Sequence, residues 1–162
     1  WLRGKHDIPP AGIGIYGVSG GGAIAALVVA DSSDAVAAFS LEAPIFDFDE
    51  AAKQEVRDQG FPGFLWQIAY LAARLRGVDL RAIETREGIS QLNGRPLQVF
   101  HGTQDLRVKF ENSVDLEAFA RQSGVEVTLY SIESTDHTEG ILLEPDLYYQ
   151  ELESFFSASL LN

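Results

Sequence analysis

The sequence contains no cysteine and no methionine. Without cysteine the chain forms neither disulfides nor thiolate metal sites, and cysteine usage leaves its compartment open. No apolar run reaches the ~18 residues that a membrane-spanning helix needs, so no membrane span is predicted. Methionine is missing even at the first position, and residues 1–6 have the pattern of a helix end. We therefore expect that the sequence continues upstream of Trp1.

Basic residues are also scarce. Twelve Lys and Arg residues stand against twenty-four Asp and Glu residues, which gives a formal net charge of −12. Such a charge repels polyanions, so nucleic acid is not an expected partner. The chain has 162 residues and is 46% hydrophobic, which is long enough for a buried core and too apolar for disorder. We predict one domain over residues 1–162.

Apolar stretches alternate with helical patterns along the chain. The predicted strands are 11–17, 35–41, 96–101 and 125–130; the predicted helices are 20–30, 48–59, 64–76, 109–122 and 144–158, with one or two short helices between 79 and 92. Near-continuous apolar strands between helices are typical of a parallel sheet. The pattern predicts an α/β fold with about four mostly parallel strands and helices on both faces. Ligands of such sheets bind beyond the carboxyl ends of the strands.

A serine follows the first predicted strand in a glycine-rich turn. Residues 17–21 read Gly-Val-Ser-Gly-Gly, which fits the G-x-S-x-G pattern of a nucleophile elbow. A sharp strand-to-helix turn presents the hydroxyl of Ser19 openly, at the cost of a strained backbone. Side chains at Gly17 and Gly21 would collide, which accounts for both glycines. A phosphate-binding loop is the alternative, but the flanking strand and Ala-rich helix favour the elbow.

A nucleophilic serine needs an imidazole base, and the sequence offers three histidines. His137 follows the fourth predicted strand in a polar loop, where a ring is able to reach the elbow, and we favour it as the base. His101 ends the third strand, and we expect it to pack or hydrogen-bond locally. His6 precedes the serine at a helix end. A solvated surface histidine is the alternative interpretation of His137.

The carboxylate that orients the base is less constrained by the pattern. Asp105 follows the third strand after a short turn and is favoured. Asp47, after the second strand, is the main rival. Asp136 is adjacent to His137 and is expected to shape its loop or to be exposed. No two histidines have the spacing of metal ligands, so we predict neither a metal nor another cofactor.

The elbow, the His-Gly-x-x-Asp stretch at 101–105 and the Asp-His pair at 136–137 together resemble the α/β-hydrolase family, with esterases and prolyl-oligopeptidase-like serine hydrolases as the closest types. The resemblance spans nearly the whole chain but only the second half of the family fold. It implies that the backbone N–H of Gly20 is one donor of the oxyanion hole. The second donor of the family comes from an earlier loop and has no counterpart in this sequence.

The stretch at about 48–92 resembles the helical cap that many members of the family insert before the acid. Four aromatic residues there are candidates to line a substrate pocket, and ordinary helix packing is the equally weighted alternative: Phe61, Phe64, Trp66 and Tyr70. We predict a serine hydrolase of small-molecule carboxylic esters. The alternatives are a prolyl-oligopeptidase-like peptidase and a non-catalytic or incomplete module. The partners considered are the remaining N-terminal half of the fold and a second copy of the chain.

Overall fold

A computed structural model of the chain describes residues 8–31, 36–79, 81 and 85–160. The strands of these residues form one parallel sheet in the order β1-β2-β3-β4. Their bounds are β1 Gly14–Val18, β2 Ala38–Glu42, β3 Leu97–Gly102 and β4 Val127–Ile132. The predicted helix end at 1–6, with His6, lies outside the described residues.

The helices of the described residues follow the strands in alternation. Their bounds are α1 Gly20–Asp31, α2 Phe48–Asp58, α3 Leu65–Leu75, α4 Thr85–Ser90, α5 Glu111–Gln122, α6 Gly140–Leu143 and α7 Pro145–Leu160. The sequence pattern did not predict α6 or a 3-10 turn at Pro10–Gly12. None of the helices described is long and apolar enough to cross a membrane.

The fourth strand begins two residues later than predicted. Val125 is buried, but its N–H donates to the carbonyl of Ala120 at 2.9 Å. This bond closes the end of α5, so Val125 belongs to the connection and its burial gave the appearance of a strand residue. The sheet ladder starts at Val127, which pairs with Leu97.

Both faces of the sheet are covered, because side chains of a strand alternate between the two faces. On one face a large apolar core contains Phe39, Leu41 and Val99. On the other face Phe100 stacks on Tyr148 of α7 with 4.2 Å between the ring centroids. Helices on both faces of a parallel sheet confirm the predicted fold class.

The long connection between β2 and β3 carries helices α2 and α3, which we call the cap helices. Asp49 in the first turn of α2 joins them: its carboxylate accepts from the indole of Trp66 at 2.7 Å and from Arg81 at 3.0 Å, and it pairs with Lys53 at 2.8 Å. These donors, Lys53 first, lower the pKa of Asp49 to about 2. The Asp49 carboxylate is therefore one of the contacts between the two helices, together with the packing of Phe48 against Trp66.

Candidate active site

Ser19 lies at the sharp turn between β1 and α1 in a strained backbone conformation. Its φ of 53° is in the left-handed region, which costs a non-glycine residue energy. Two backbone bonds hold it there: the N–H of Ser19 donates to the carbonyl of Glu42 at 2.7 Å, and its carbonyl accepts from Gly22 at 3.0 Å. The turn leaves the hydroxyl at the carboxyl end of the sheet.

The glycine requirement of this turn differs from the prediction at one position. A Cβ at Gly17 would lie 2.9 Å from the carbonyl oxygen of Gly21, so glycine is needed there. A Cβ at Gly21 meets nothing within 4 Å, and the expectation of a collision there is wrong. The second crowded position is Gly22, where a Cβ would lie 3.1 Å from the side chain of Pro44. The helix approaches the strand through its backbone at Gly21, which leaves the side-chain direction of Gly21 open.

On the face of the sheet that packs against α7, polar side chains contact the strands on either side of the elbow. The sequence pattern did not indicate these contacts. The buried carboxylate of Glu42 accepts from the hydroxyl of Tyr16 at 2.5 Å, and that hydroxyl lies 2.6 Å from the hydroxyl of Tyr148. Burial raises the pKa of both tyrosines above the ordinary range. Glu42 therefore contacts Ser19 through its backbone and α7 through its side chain.

His137 comes to Ser19 from the loop that follows β4. Its Nε2 lies 3.1 Å from the Oγ of Ser19, and its Nδ1 lies 2.7 Å from the Oδ2 of Asp105. The three residues that the sequence analysis selected are thus within hydrogen-bond distance of one another in series. A ring with an acceptor on the Nδ1 side keeps its proton there and presents a free Nε2 to the serine hydroxyl.

Asp105 is buried at the turn after β3, and both of its oxygens are used. Oδ1 accepts from the backbone N–H groups of Arg107 and Val108, each at 2.8 Å. Burial alone would raise the pKa of Asp105, but hydrogen bonds from His101, His137 and Val108 outweigh it and lower the pKa. The carboxylate therefore stays ionised although its side chain has no exposed surface.

His101 hydrogen-bonds locally, as predicted, but with partners that the sequence did not indicate. Its ring is fully buried; Nε2 lies 2.7 Å from the carbonyl of Val108 and 3.2 Å from the Oδ2 of Asp105. Its Nδ1 lies 2.6 Å from the Oγ of Ser113 on α5. The spacing His-Gly-x-x-Asp was a signal for the contact with Asp105, whereas nothing in the pattern indicated Ser113.

The two other candidate carboxylates, Asp47 and Asp136, do not contact a ring nitrogen of His137 in the contacts described. Asp47 caps α2: its Oδ1 accepts from the N–H of Glu50 at 3.0 Å. Asp136 shapes the loop of His137, because its Oδ1 accepts from the N–H of His137 at 2.7 Å and from that of Leu106 at 2.9 Å. Asp136 thereby links the loop of the base to the loop of the acid, and its predicted loop-forming role is confirmed.

A cavity of about 410 Å³ opens beside Ser19 and His137. Its walls are mainly apolar or small, with Glu55 and Arg107 as its charged members; the remaining lining residues are Ile45, Phe48, Ala51, Ala52 and Val108. The four aromatic residues predicted as a pocket are not among these. Trp66 and Tyr70 pack inside the cap, and Phe61 and Phe64 are exposed.

The first turn of α1 faces the same region as the serine. Gly20 is the first residue of this helix, and the leading N–H groups of a helix have no partner within it. Together with the positive end of the helix dipole they suit a negative oxygen. Within the described part of the chain, no group of three or more His, Asp or Glu residues has an arrangement that would hold a metal ion.

The parallel sheet with helices on both faces has the arrangement of the α/β-hydrolase fold, and comparisons with solved structures agree. A Pyrococcus furiosus esterase superposes with a TM-score of 0.73 at 16% identity, over 99% of this chain. A Pyrococcus horikoshii acylaminoacyl peptidase superposes with a TM-score of 0.72 at 21% identity, over 98% of this chain. The protein EstE5, in crystals soaked with p-nitrophenyl butyrate, superposes with a TM-score of 0.69 at 19% identity over the full chain.

The model of the prolyl oligopeptidase family, peptidase S9, matches residues 1–160. The chain therefore belongs to this family of serine hydrolases. It spans 58% of the length of the Pyrococcus furiosus esterase, 57% of EstE5 and 26% of the acylaminoacyl peptidase. No curated protein sequence matches the chain significantly.

Proposed function

We propose that this chain carries the catalytic centre of a serine hydrolase that cleaves carboxylic esters. The observation that carries the proposal is the series of hydrogen bonds from Ser19 to His137 at 3.1 Å and from His137 to Asp105 at 2.7 Å. Esterase neighbours and the apolar cavity beside the serine support an ester substrate of small size.

The mechanism follows from these contacts. The Oγ of Ser19 attacks the ester carbonyl while its proton passes to the Nε2 of His137. Asp105 stabilises the imidazolium that forms, and the N–H of Gly20 donates to the oxyanion. His137 then protonates the departing alkoxide, which leaves an acyl group on Ser19. Water attacks this acyl-enzyme with His137 as the base, and the carboxylic acid is released with no cofactor.

Covalent labelling by a fluorophosphonate tests the nucleophile directly. We expect the label on the wild-type protein and its loss in Ser19→Ala. Ser134→Ala is the matched control, because Ser134 also has a positive φ, of 57°, and is exposed, but lies in a different loop. Label that persists in Ser19→Ala, or no Ser19-dependent label in any version of the protein, would overturn the proposal.

The labelling is done on the 162-residue chain and on a version that includes any upstream residues of its gene. If the second oxyanion donor lies upstream, the longer version reacts about 10²–10³-fold faster, which is the usual effect of one such donor. Equal rates would mean that the described residues hold the complete site. Restoration by a separate chain would instead support the incomplete module that needs a partner.

A peptidase is the second candidate, and membership of the prolyl oligopeptidase family favours it. The same serine and base would attack an amide, with His137 protonating the departing amine. A panel of p-nitrophenyl esters and matched aminoacyl p-nitroanilides separates the two activities. Higher kcat/KM for the anilides, relative to their uncatalysed hydrolysis, would replace the esterase proposal by the peptidase.

A further inference from the structure

Two imidazole rings contact one oxygen of Asp105. The Nδ1 of His137 lies 2.7 Å from Oδ2, and the Nε2 of His101 lies 3.2 Å from the same atom. His137 borders the cavity beside Ser19, whereas the His101 side chain has no exposed surface. A buried imidazole needs hydrogen-bond partners for both ring nitrogens, so the partners of His101 indicate its tautomer and its role.

The neighbours of His101 determine where its proton lies. The carbonyl of Val108, 2.7 Å from Nε2, only accepts hydrogen bonds, so Nε2 carries the proton. The same Nε2 lies 3.2 Å from the Oδ2 of Asp105, so this N–H is directed at Val108 and lies beside the carboxylate. The Nδ1 of the neutral ring then accepts from the hydroxyl of Ser113 at 2.6 Å. Both ring nitrogens are therefore satisfied without a charge on the ring.

The ring of His101 has little freedom to turn away from the carboxylate. The ring of Phe110 packs edge-on against it, with 5.6 Å between the centroids. Ser113, on helix α5, holds the Nδ1 of His101. Among the described residues, no buried polar side-chain atom is left without a partner. The position of the Nε2 of His101, beside the Oδ2 of Asp105, is thus set by Phe110 and Ser113, which lie outside the series from Ser19 to Asp105.

Four N–H groups as a result lie beside the carboxylate of Asp105. Two backbone N–H groups hold Oδ1, and the two histidines share Oδ2. The plane of the carboxylate cannot rotate without losing the hydrogen bonds from Arg107, Val108 and His137. The backbone bonds fix one oxygen only. In the contacts described, the other oxygen, Oδ2, lies beside the ring nitrogens of His137 and His101.

We propose that His101 is a positioning residue of the hydrolase, which holds the Oδ2 of Asp105 in the direction that keeps His137 aligned with Ser19. The inference rests on the proposed roles of Ser19, His137 and Asp105. Ser113 and Val108 complete the arrangement by fixing the His101 tautomer. His101 does not touch the cavity and acts only through the carboxylate.

Two amide substitutions separate this role from a purely structural one. His101→Gln places an amide near the position of Nε2 and keeps a donor for Asp105. His101→Asn places its amide near Nδ1, so it keeps the contact with Ser113 and loses the donor to Asp105. We expect kcat per active site to fall about 10- to 100-fold in the Asn variant, because sub-ångström misalignment of a reacting group has effects of this order. The Gln variant restores most of it, and KM is unchanged in both.

Active sites are counted by fluorophosphonate titration, so that unfolded protein does not enter kcat. The NMR signal of the His137 Nδ1 proton provides a readout that needs no turnover. We expect this signal to move or broaden in His101→Asn and to return toward the wild-type position in His101→Gln. If the signal and the kcat per site match the wild type in both variants, while only thermal stability falls, His101 is structural and the proposal is overturned.

The NMR signal also separates failure of this inference from failure of the proposed function. A protein that hydrolyses no ester or amide would contradict the proposed function, yet the hydrogen bond between His137 and Asp105 would remain observable. An altered signal in His101→Asn would then still show that His101 positions the carboxylate. An unaltered signal would overturn the inference whatever the activity.

Discussion

The carboxylate of Asp105 has a serine–histidine pair on each side. On the cavity side the series runs from Ser19 to His137, with distances of 3.1 Å and 2.7 Å. On the buried side it runs from Ser113 to His101, with distances of 2.6 Å and 3.2 Å. The residue types and the order of contacts are the same, so composition does not distinguish the two pairs.

Access and backbone conformation make the difference. Ser19 has a positive φ at an open turn beside the cavity, whereas Ser113 lies within α5 and is fully buried. Both serines face an acceptor nitrogen of their histidine, but the contact between Ser113 and His101 is buried and does not border the cavity. A serine, a histidine and a carboxylate in contact are therefore insufficient for a nucleophile. Substrate must also be able to reach the hydroxyl.

Replacing each serine by alanine is expected to give the largest difference in activity between the two pairs. We expect Ser19→Ala to lower kcat by about 10⁶-fold, since loss of a nucleophile removes the covalent route. Ser113→Ala should leave kcat within a few-fold, because Val108 still holds the ring of His101, and should lower the free energy of unfolding by about 1–3 kcal/mol, the cost of leaving the buried Nδ1 of His101 without a partner. Initial rates and chemical denaturation measure the two effects. Equal losses of activity in the two variants would contradict the distinction between the pairs.

Asp105→Asn affects both sides at once. We expect kcat to fall about 10⁴-fold, because an amide favours the wrong tautomer of the base. The unfolding free energy should fall as well, since the amide has one acceptor oxygen where the carboxylate accepts at both of its oxygens. Asp136→Asn is the matched control, because it changes a neighbouring carboxylate that does not touch a ring nitrogen in the contacts described. A similar loss of kcat in that control would reassign the acid.

The pair of Ser19 and His137 borders a cavity, whereas the pair of Ser113 and His101 is buried, so only the first leaves space for a larger side chain. Ala52 lines the cavity beside Ser19, and Ala52→Phe adds a ring there. We expect kcat/KM for a hexanoate ester to fall about tenfold relative to an acetate ester, since the longer acyl chain loses its space. Ala69→Phe on the other cap helix is the control, at an exposed position. If the ratio of kcat/KM for the two esters does not change, the acyl chain does not bind in this cavity.

The smallest effect concerns pH. The pKa of Asp105 is lowered in the folded protein by hydrogen bonds that outweigh its burial. The ionised group therefore contributes stability above its ordinary pKa, and this contribution is lost as the pH falls through the folded pKa. Denaturation of wild type and Asp105→Asn between about pH 5 and pH 2 should give curves that converge toward low pH. Parallel curves would show that the carboxylate contributes no such term.

Local pattern was sufficient for much of the molecule. Strand–helix alternation predicted the sheet, because apolar runs that bury both faces differ clearly from amphipathic helices. The order of Ser19, Asp105 and His137 after three parallel strands predicted that they meet, since the carboxyl ends of such strands lie at one edge. The contacts of these three residues agree with that expectation in position, and their catalytic roles remain the prediction that the variants above test.

Other features depended on which side chains the folded chain brings together. The crowding at Gly22 comes from Pro44, the support of Glu42 from Tyr16 and Tyr148, and the partner of His101 from α5. Much of the cavity wall comes from α2, whereas Trp66 and Tyr70 of α3 are buried outside its lining and Phe61 and Phe64, which precede α3, are exposed.

The order of elements, the fold class and the residues that gather at one edge of the sheet were predictable from the amino-acid pattern, because they depend on periodicity and on the geometry of parallel strands. Which of the two serine–histidine pairs beside Asp105 borders the cavity, and which is buried, is visible only in the folded structure. The physical reason is that burial and hydrogen-bond direction depend on packing between distant elements, and no local pattern encodes that packing.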